Sequence, residues 1–428
     1  MTSIPYASVR RAAPTDGTGR GVAALLAAFT VAVFWSTALT NILAAAISIL
    51  AIIRWVQYRP AFLLRHPLNL ACLGFLGWVV LRDVAAGAAL QEIASSINHL
   101  RVIGFVVLWS PLFLLERNAG VVAGALVCSL AAYACAALAL LAWYGQLPYP
   151  SSPFDASLPR GLHEAVHALR TRAPDITGPI MLAAIFGALQ WALDHPARRR
   201  QLVAFAALAT AALFLASLRR SSHLGFILCA LVFLLINRHR LSAGRARMAL
   251  VAAAVAFPVL MWGPAGDGLQ RAAHGGLEFL HATPEVRMQR STSESERLQF
   301  WSVASGIVRE HPVFGSSMAR YFDEHIAMAK SLPDEFPRHG NPHNEYLYVL
   351  GAVGPLGLLL FLAIPLAAWR ATARHPERRK LLALYLAAAL PNMLVNSFTI
   401  DMIPGHFHAL ALLAIVFPGA ATEKVRPA

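Results

Sequence analysis

Apolar runs of about 18–22 residues recur along the whole chain, each closed by a cluster of charged residues; crossing the hydrocarbon core of a bilayer takes about 20 apolar residues as a helix. Lipid offers no water to the backbone, so such runs must satisfy their N–H and C=O groups internally, as helices. The pattern predicts an all-α polytopic membrane protein. Its spans are expected over 21–39, 42–58, 68–88, 97–115, 120–143, 177–194, 202–218, 222–236, 247–264, 344–369, 380–396 and 402–418, about twelve in all. Composition agrees: 57% of the 428 residues are hydrophobic and 14% charged, against about 25% charged in soluble domains.

A net charge of +14 invites a nucleic-acid reading, but its distribution argues against one. With the N-terminus in the cytoplasm, the short cytoplasmic segments collect 21 Lys and Arg and the short outer segments 7. That is the positive-inside bias of a membrane protein. Residues 1–20 then form a polar, basic, disordered cytoplasmic tail, 21–264 the first nine spans, 344–418 the last three, and 419–428 a second cytoplasmic tail. No cleavable leader is recognised before the first span. Cys72, Cys128, Cys135 and Cys229 all fall in apolar runs and read as small core residues.

Two outer segments are too long to be simple connectors, and long ordered loops are usually functional. One is 144–176. The other, 265–343, is the most polar part of the chain and is expected as a large loop on the outer side. Within it, Leu298, Trp301, Ala304, Ile307 and Val308 recur at helical spacing between Glu296 and Glu310. That spacing predicts an amphipathic helix at the membrane surface, with Arg297 and Trp301 on one face.

The polar loop meets the tenth span at Arg338-His339-Gly340-Asn341-Pro342-His343-Asn344. Asn341 suits a helix cap and Pro342 the first helical position. His343 and Asn344 would then lie in the first turn, where free N–H groups and the helix dipole attract anions and favour a neutral imidazole. At the outer end of the seventh span, Arg219 and Arg220 sit on the apolar boundary. Such arginines either snorkel or bind an anion, and a guanidinium fork grips phosphate through two oxygens. By this topology Arg219, Arg220, Arg297 and His343 share one side of the membrane. His163-Glu164-Ala165-Val166-His167 matches the zinc motif of metalloproteases. Its helix carries the apolar stripe Leu162, Val166 and Leu169, and no third ligand follows nearby, so an amphipathic outer helix is the plainer reading.

These segments resemble a known family. His343-Asn344, nine residues, then Gly354-Pro355-Leu356-Gly357 is similar to the signature of the O-antigen ligases of Gram-negative bacteria. Arg309-Glu310-His311-Pro312-Val313-Phe314-Gly315, Arg297 with Trp301, and Arg220-Ser221-Ser222-His223-Leu224-Gly225 resemble further segments of the wider ligase and polymerase superfamily. The resemblance implies a cofactor-free, metal-independent glycosyltransferase of the bacterial inner membrane, with its active site facing the periplasm. The donor would be O-antigen on undecaprenyl pyrophosphate and the acceptor a sugar hydroxyl of lipid A–core. His343 would be the general base, Arg220 and Arg297 the pyrophosphate clamps with Arg219 in reserve, and Asn344 and His339 orienting groups. Membrane lipids are the remaining partners, and nucleic acid is not one. An O-antigen polymerase or a protein O-oligosaccharyltransferase would share these features. A transporter, or a zinc protease built on His163 and His167, stands as the reading from another class.

Overall fold

The structure, a computed structural model, describes residues 16–58, 60–144, 174–215, 220–240, 293–330 and 341–418. The described residues are helical, joined by turns, with no strand among them. The longer helices are α1 (Asp16–Trp35), α2 (Thr37–Tyr58), α3 (Pro67–Ala85), α4 (Leu90–His99), α5 (Arg101–Trp109), α6 (Glu116–Tyr144) and α7 (Pro174–Asp194). They continue as α8 (Arg199–Leu215), α9 (Arg220–Asn237), α10 (Ser293–Glu310), α11 (Met318–Lys330), α12 (Glu345–Ala371), α13 (Pro376–Asn392) and α14 (Met402–Val416). Every expected span falls on one of these except 247–264, which lies outside the described residues. Among the described residues four helices are individually long and apolar enough to cross a membrane, and α4 with α5 makes a fifth if that bent pair is one span.

The fourth expected span, 97–115, is not one straight helix. The chain turns by 71° between Leu90–His99 and Arg101–Leu114. Leu100, between them, leaves helical geometry, and the Arg101 guanidinium turns back onto the carbonyl and side chain of Asn98. The sequence on either side explains the break. α4 is polar and amphipathic and packs on α11, whereas α5 is apolar after Arg101 and packs on α3 and α14.

Local chemistry sets the helix ends. His66 caps α3 by accepting from the Leu68 N–H, and Pro67 occupies the first position, where its missing N–H costs nothing. Long-range polar contacts gather at two opposite ends of the bundle. At one end Gln190 and Asp194 of α7 meet Asn237 and Arg240 beyond α9. At the other, Asn341 and Glu345 at the head of α12 meet Ser397–Thr399 between α13 and α14. Between the two ends the packing is chiefly apolar and aromatic, as in the edge-on Phe29–Trp109 pair at 5.2 Å and Phe75 of α3 against Phe361 of α12 at 5.5 Å, with interhelical hydrogen bonds such as Trp109 to Ser48 and Tyr385 with His408 set into it. In lipid, close packing of this kind and interhelical hydrogen bonds hold helices together, since burial from water no longer separates one apolar surface from another.

Cys72 and Cys229 are buried as expected, but Cys128 and Cys135 are exposed on α6. They share a face of that helix, and the face turns away from the core.

Candidate active site at the head of helix α12

The stretch around His343 folds differently from a simple capped helix. Asn341 does not cap α12. Its side-chain oxygen accepts from the His343 N–H at 2.9 Å, two residues on, and from the Ser397 hydroxyl at 2.5 Å. This is the local turn that asparagine favours, and it pins the turn to the segment before α14. Asn344 is the cap, accepting from the Leu347 N–H at 3.0 Å, and its side chain is buried. His343 therefore stands one residue before the cap, outside the first turn of the helix. Its φ of 48° lies in the left-handed region. Non-glycine residues adopt that region seldom, histidine more readily than most, and such outliers gather at functional sites.

The expected anion site at this helix end is largely consumed by the protein. The Glu345 N–H donates to the Met393 carbonyl at 2.8 Å, and the Leu347 N–H is taken by Asn344. Glu345 itself is buried, and its carboxylate accepts from the Phe398 N–H at 2.6 Å, the Thr399 N–H at 2.8 Å and the Thr399 hydroxyl. A buried carboxylate so bonded is a structural clamp between the head of α12 and the segment before α14. Few backbone N–H groups at this helix end are then left for an anion.

The helix that carries Arg297 packs nearby. The Phe300 ring of α10 lies 5.8 Å from the His343 ring, and α10 packs on α12. Arg297 is three residues before Phe300 and four before Trp301, so all three share a helix face. Arg297 is half-buried there, and the Trp301 indole N–H is buried with no partner among the described residues. The face that packs is Phe300, Val303, Ala304 and Ile307, about one residue round from the expected stripe. The apolar side of α10 is thus spent on protein, where a surface helix would spend it on lipid. Behind Phe300 stands His325 of α11, fully buried, with Nε2 3.4 Å from the Phe300 carbonyl. Burial pushes the phenol of its neighbour Tyr321 above the usual tyrosine range, so that ring stays neutral.

Two segments singled out in the sequence meet directly. α12 is broken at Gly354 (φ 72°, ψ −178°), and the turn after α10 crosses it at the break. Ser316 and Ser317 donate their N–H groups to the Gly351 and Ala352 carbonyls, each at 2.8 Å. Gly315 (φ 70°) lies so near that a Cβ there would stand 2.5 Å from the Ala352 carbonyl. From α3, Arg82 donates to the Phe314 carbonyl at 2.8 Å and the Gly315 carbonyl at 3.0 Å, while Trp78 donates to the Val353 carbonyl at 2.9 Å. Asp83, fully buried, accepts from the Ala319 N–H in the first turn of α11 at 3.2 Å. The segment 311–319 is therefore bolted to α3 and α12 at once. Within the third resemblance segment, a Cβ on Gly225 would stand 2.7 Å from Leu182 of α7, so close helix packing accounts for that glycine.

Residues 180–362 match a family model described as O-Antigen ligase. Over that region the chain is similar to the O-antigen ligase family. No curated protein matches it. The match supports a place in the O-antigen ligase and polymerase superfamily, whose members are glycosyltransferase-like enzymes. Both glycine segments, the α10 face and His343 fall inside the ligase match.

Of the expected site residues, the structure brings His343, Asn344 and the helix face of Arg297 together. Arg220 heads α9, but its side chain, like Arg219, His339 and the His163–His167 pair, lies outside the described residues. Among the described residues no group of three or more His, Cys, Asp or Glu is arranged to hold a metal. Sequence reasoning missed Glu345, Ser397, Arg82 and Asp83. The available signal was a carboxylate placed at the edge of an apolar run, at Glu345 and again at Asp83.

Proposed function

We propose that the protein is an O-antigen ligase acting at the periplasmic face of the bacterial inner membrane. It transfers O-antigen polysaccharide from undecaprenyl pyrophosphate to a sugar hydroxyl of lipid A–core. The observation that carries this reading is the packing of the Arg297 helix face on His343 through Phe300, within the family match.

The acceptor hydroxyl is a weak nucleophile at neutral pH, and His343 takes its proton as the hydroxyl oxygen attacks the anomeric carbon. The bond from that carbon to the pyrophosphate breaks, and its electron pair leaves on the pyrophosphate oxygen. Arg297 and Arg220, with Arg219 in reserve, meet the departing charge; electrostatic stabilisation of this kind is the largest contribution in many enzymes. Attack opposite the leaving group inverts the anomeric centre. Asn344 acts by capping α12 and fixing where His343 stands, and His339 is the remaining orienting group. No metal enters this chemistry. Both termini lie in the cytoplasm, 265–343 in the periplasm, and the chain crosses the membrane about twelve times.

The test is reconstitution of the purified protein with lipid-linked O-antigen and lipid A–core, reading ligated lipopolysaccharide. Product lengthened on the polyprenyl carrier, with none on lipid A–core, would assign a polymerase instead. Ligation that persists in a strong chelator, and in His163→Ala, supports the metal-free reading; chelator loss restored by zinc would end it.

A further inference from the structure

A cavity of about 550 Å³ lies between α6, α7, α13 and α14. It is separate from the site above. Its mouth carries Asp194, His195, Glu377 and Arg378, just beyond the last residue of α12, whereas His343 precedes the first. Helix α12 has 27 residues, roughly 40 Å if it were straight, so the two sites are at opposite ends of the bundle.

The walls are chiefly apolar, and many of the lining residues are small, among them Ala123, Ala184, Gly187 and Ala411. Small residues facing one another ordinarily let helices close together. Here they line open space of a size typical of ligand pockets. A dry void of that size forfeits the dispersion contacts its walls could make, so an apolar chain is the fitting occupant.

The mouth says what that chain is attached to. Asp194 is already engaged by Gln190 and Arg240, and Glu377 lies 3.5 Å from Lys380. Arg378 lines the opening and donates one N–H to the Pro418 carbonyl, and the exposed Arg198, Arg199 and Arg200 stand in the chain between two further lining residues, His195 and Leu202. With Arg240 on Asp194 and Lys380 beside Glu377, Arg378 leaves the basic side chains in excess around the opening. Basic pockets between membrane helices suit anionic lipid headgroups.

We propose that this cavity binds an anionic glycerophospholipid, one acyl chain between α6, α7, α13 and α14 and the phosphate at the Arg378 end. The proposal is independent of which sugar acceptor the enzyme uses.

Native mass spectrometry of the full-length protein, with phosphatidylglycerol or phosphatidylcholine of identical chains added, tests it. Wild type should retain one phosphatidylglycerol in at least five-fold preference to phosphatidylcholine. Gly187→Leu fills the cavity from a position whose nearest outside neighbour, Leu381, is 4.0 Å from a built Cβ; it should lose the bound lipid. Arg378→Gln, at the mouth, should keep the fold and lose the headgroup preference. Equal retention of the two lipids by wild type would overturn the proposal. So would a phosphatidylglycerol adduct unchanged in both variants, or a second copy of the chain in place of lipid.

Discussion

Gly354 lies against Val313 so closely that a Cβ on the glycine would stand 2.5 Å from the valine's carbonyl oxygen. With φ near 72° and ψ near 180°, it occupies a backbone region that is essentially reserved for glycine. The contact is backbone on backbone, and neither partner has a flexible side chain that could yield.

Gly354→Ala should therefore destabilise the protein by about 1–3 kcal/mol from backbone strain alone, with the overlap adding to it. Arg82→Ala removes two charged donors from the same crossing and should cost about 1–2 kcal/mol after allowance for its partial exposure. Thermal unfolding in detergent measures both. Wild-type stability in Gly354→Ala would mean that the crossing is loose.

His343→Ala should lower ligation by about 10²–10⁴-fold, the usual range for loss of a general base. Its side chain is only half-buried, so yield and unfolding temperature should stay near wild type. In wild type the rate should fall on acidification, because a protonated imidazole accepts nothing from the acceptor hydroxyl. His339→Ala should be milder. The opposite order of the two variants would make His339 the base.

Lysine at position 297 or 220 should fail substantially, since an ammonium does not reproduce the two-oxygen grip of a guanidinium. The expected loss is about 2–4 kcal/mol of barrier for each, as for a donor to developing negative charge. Arg219→Lys should be milder. Near-normal rates in Arg297→Lys and Arg220→Lys would make both residues membrane anchors.

For orientation, single cysteines introduced near 285 should react with an impermeant maleimide in intact spheroplasts, and cysteines near 375 should not. That follows from the 21-to-7 bias of Lys and Arg in short segments. The reverse pattern would turn the molecule over and place His343 in the cytoplasm.

The helices were legible because span length and hydropathy are imposed by the bilayer and need no tertiary information. The break at Leu100 was not, since the apolar run continues across 97–115 while the polar α4 begins before it. At the site, His343 and Arg297 were visible as residue types at a boundary. The helix start was misplaced by three residues because Asn341 and Asn344 are both competent caps, and only the Ser397 hydroxyl, 56 residues downstream of Asn341, decides between them. Glu345, Arg82 and Asp83 owe their roles to partners distant in sequence, which periodicity cannot reveal. For the glycines, the sequence showed the spacing and the structure supplied the reason, a second chain segment lying in the space a side chain would need.

That crossing bears on how the chain tolerates recombination. Residues 313–317 and 351–354 are one physical object written in two places, with the fit set by missing side chains on both strands. A chimera that exchanges only one of the two segments with a relative inherits half of a matched joint. Exchanges that carry both together, along with Arg82 from the third helix, are the ones that should fold.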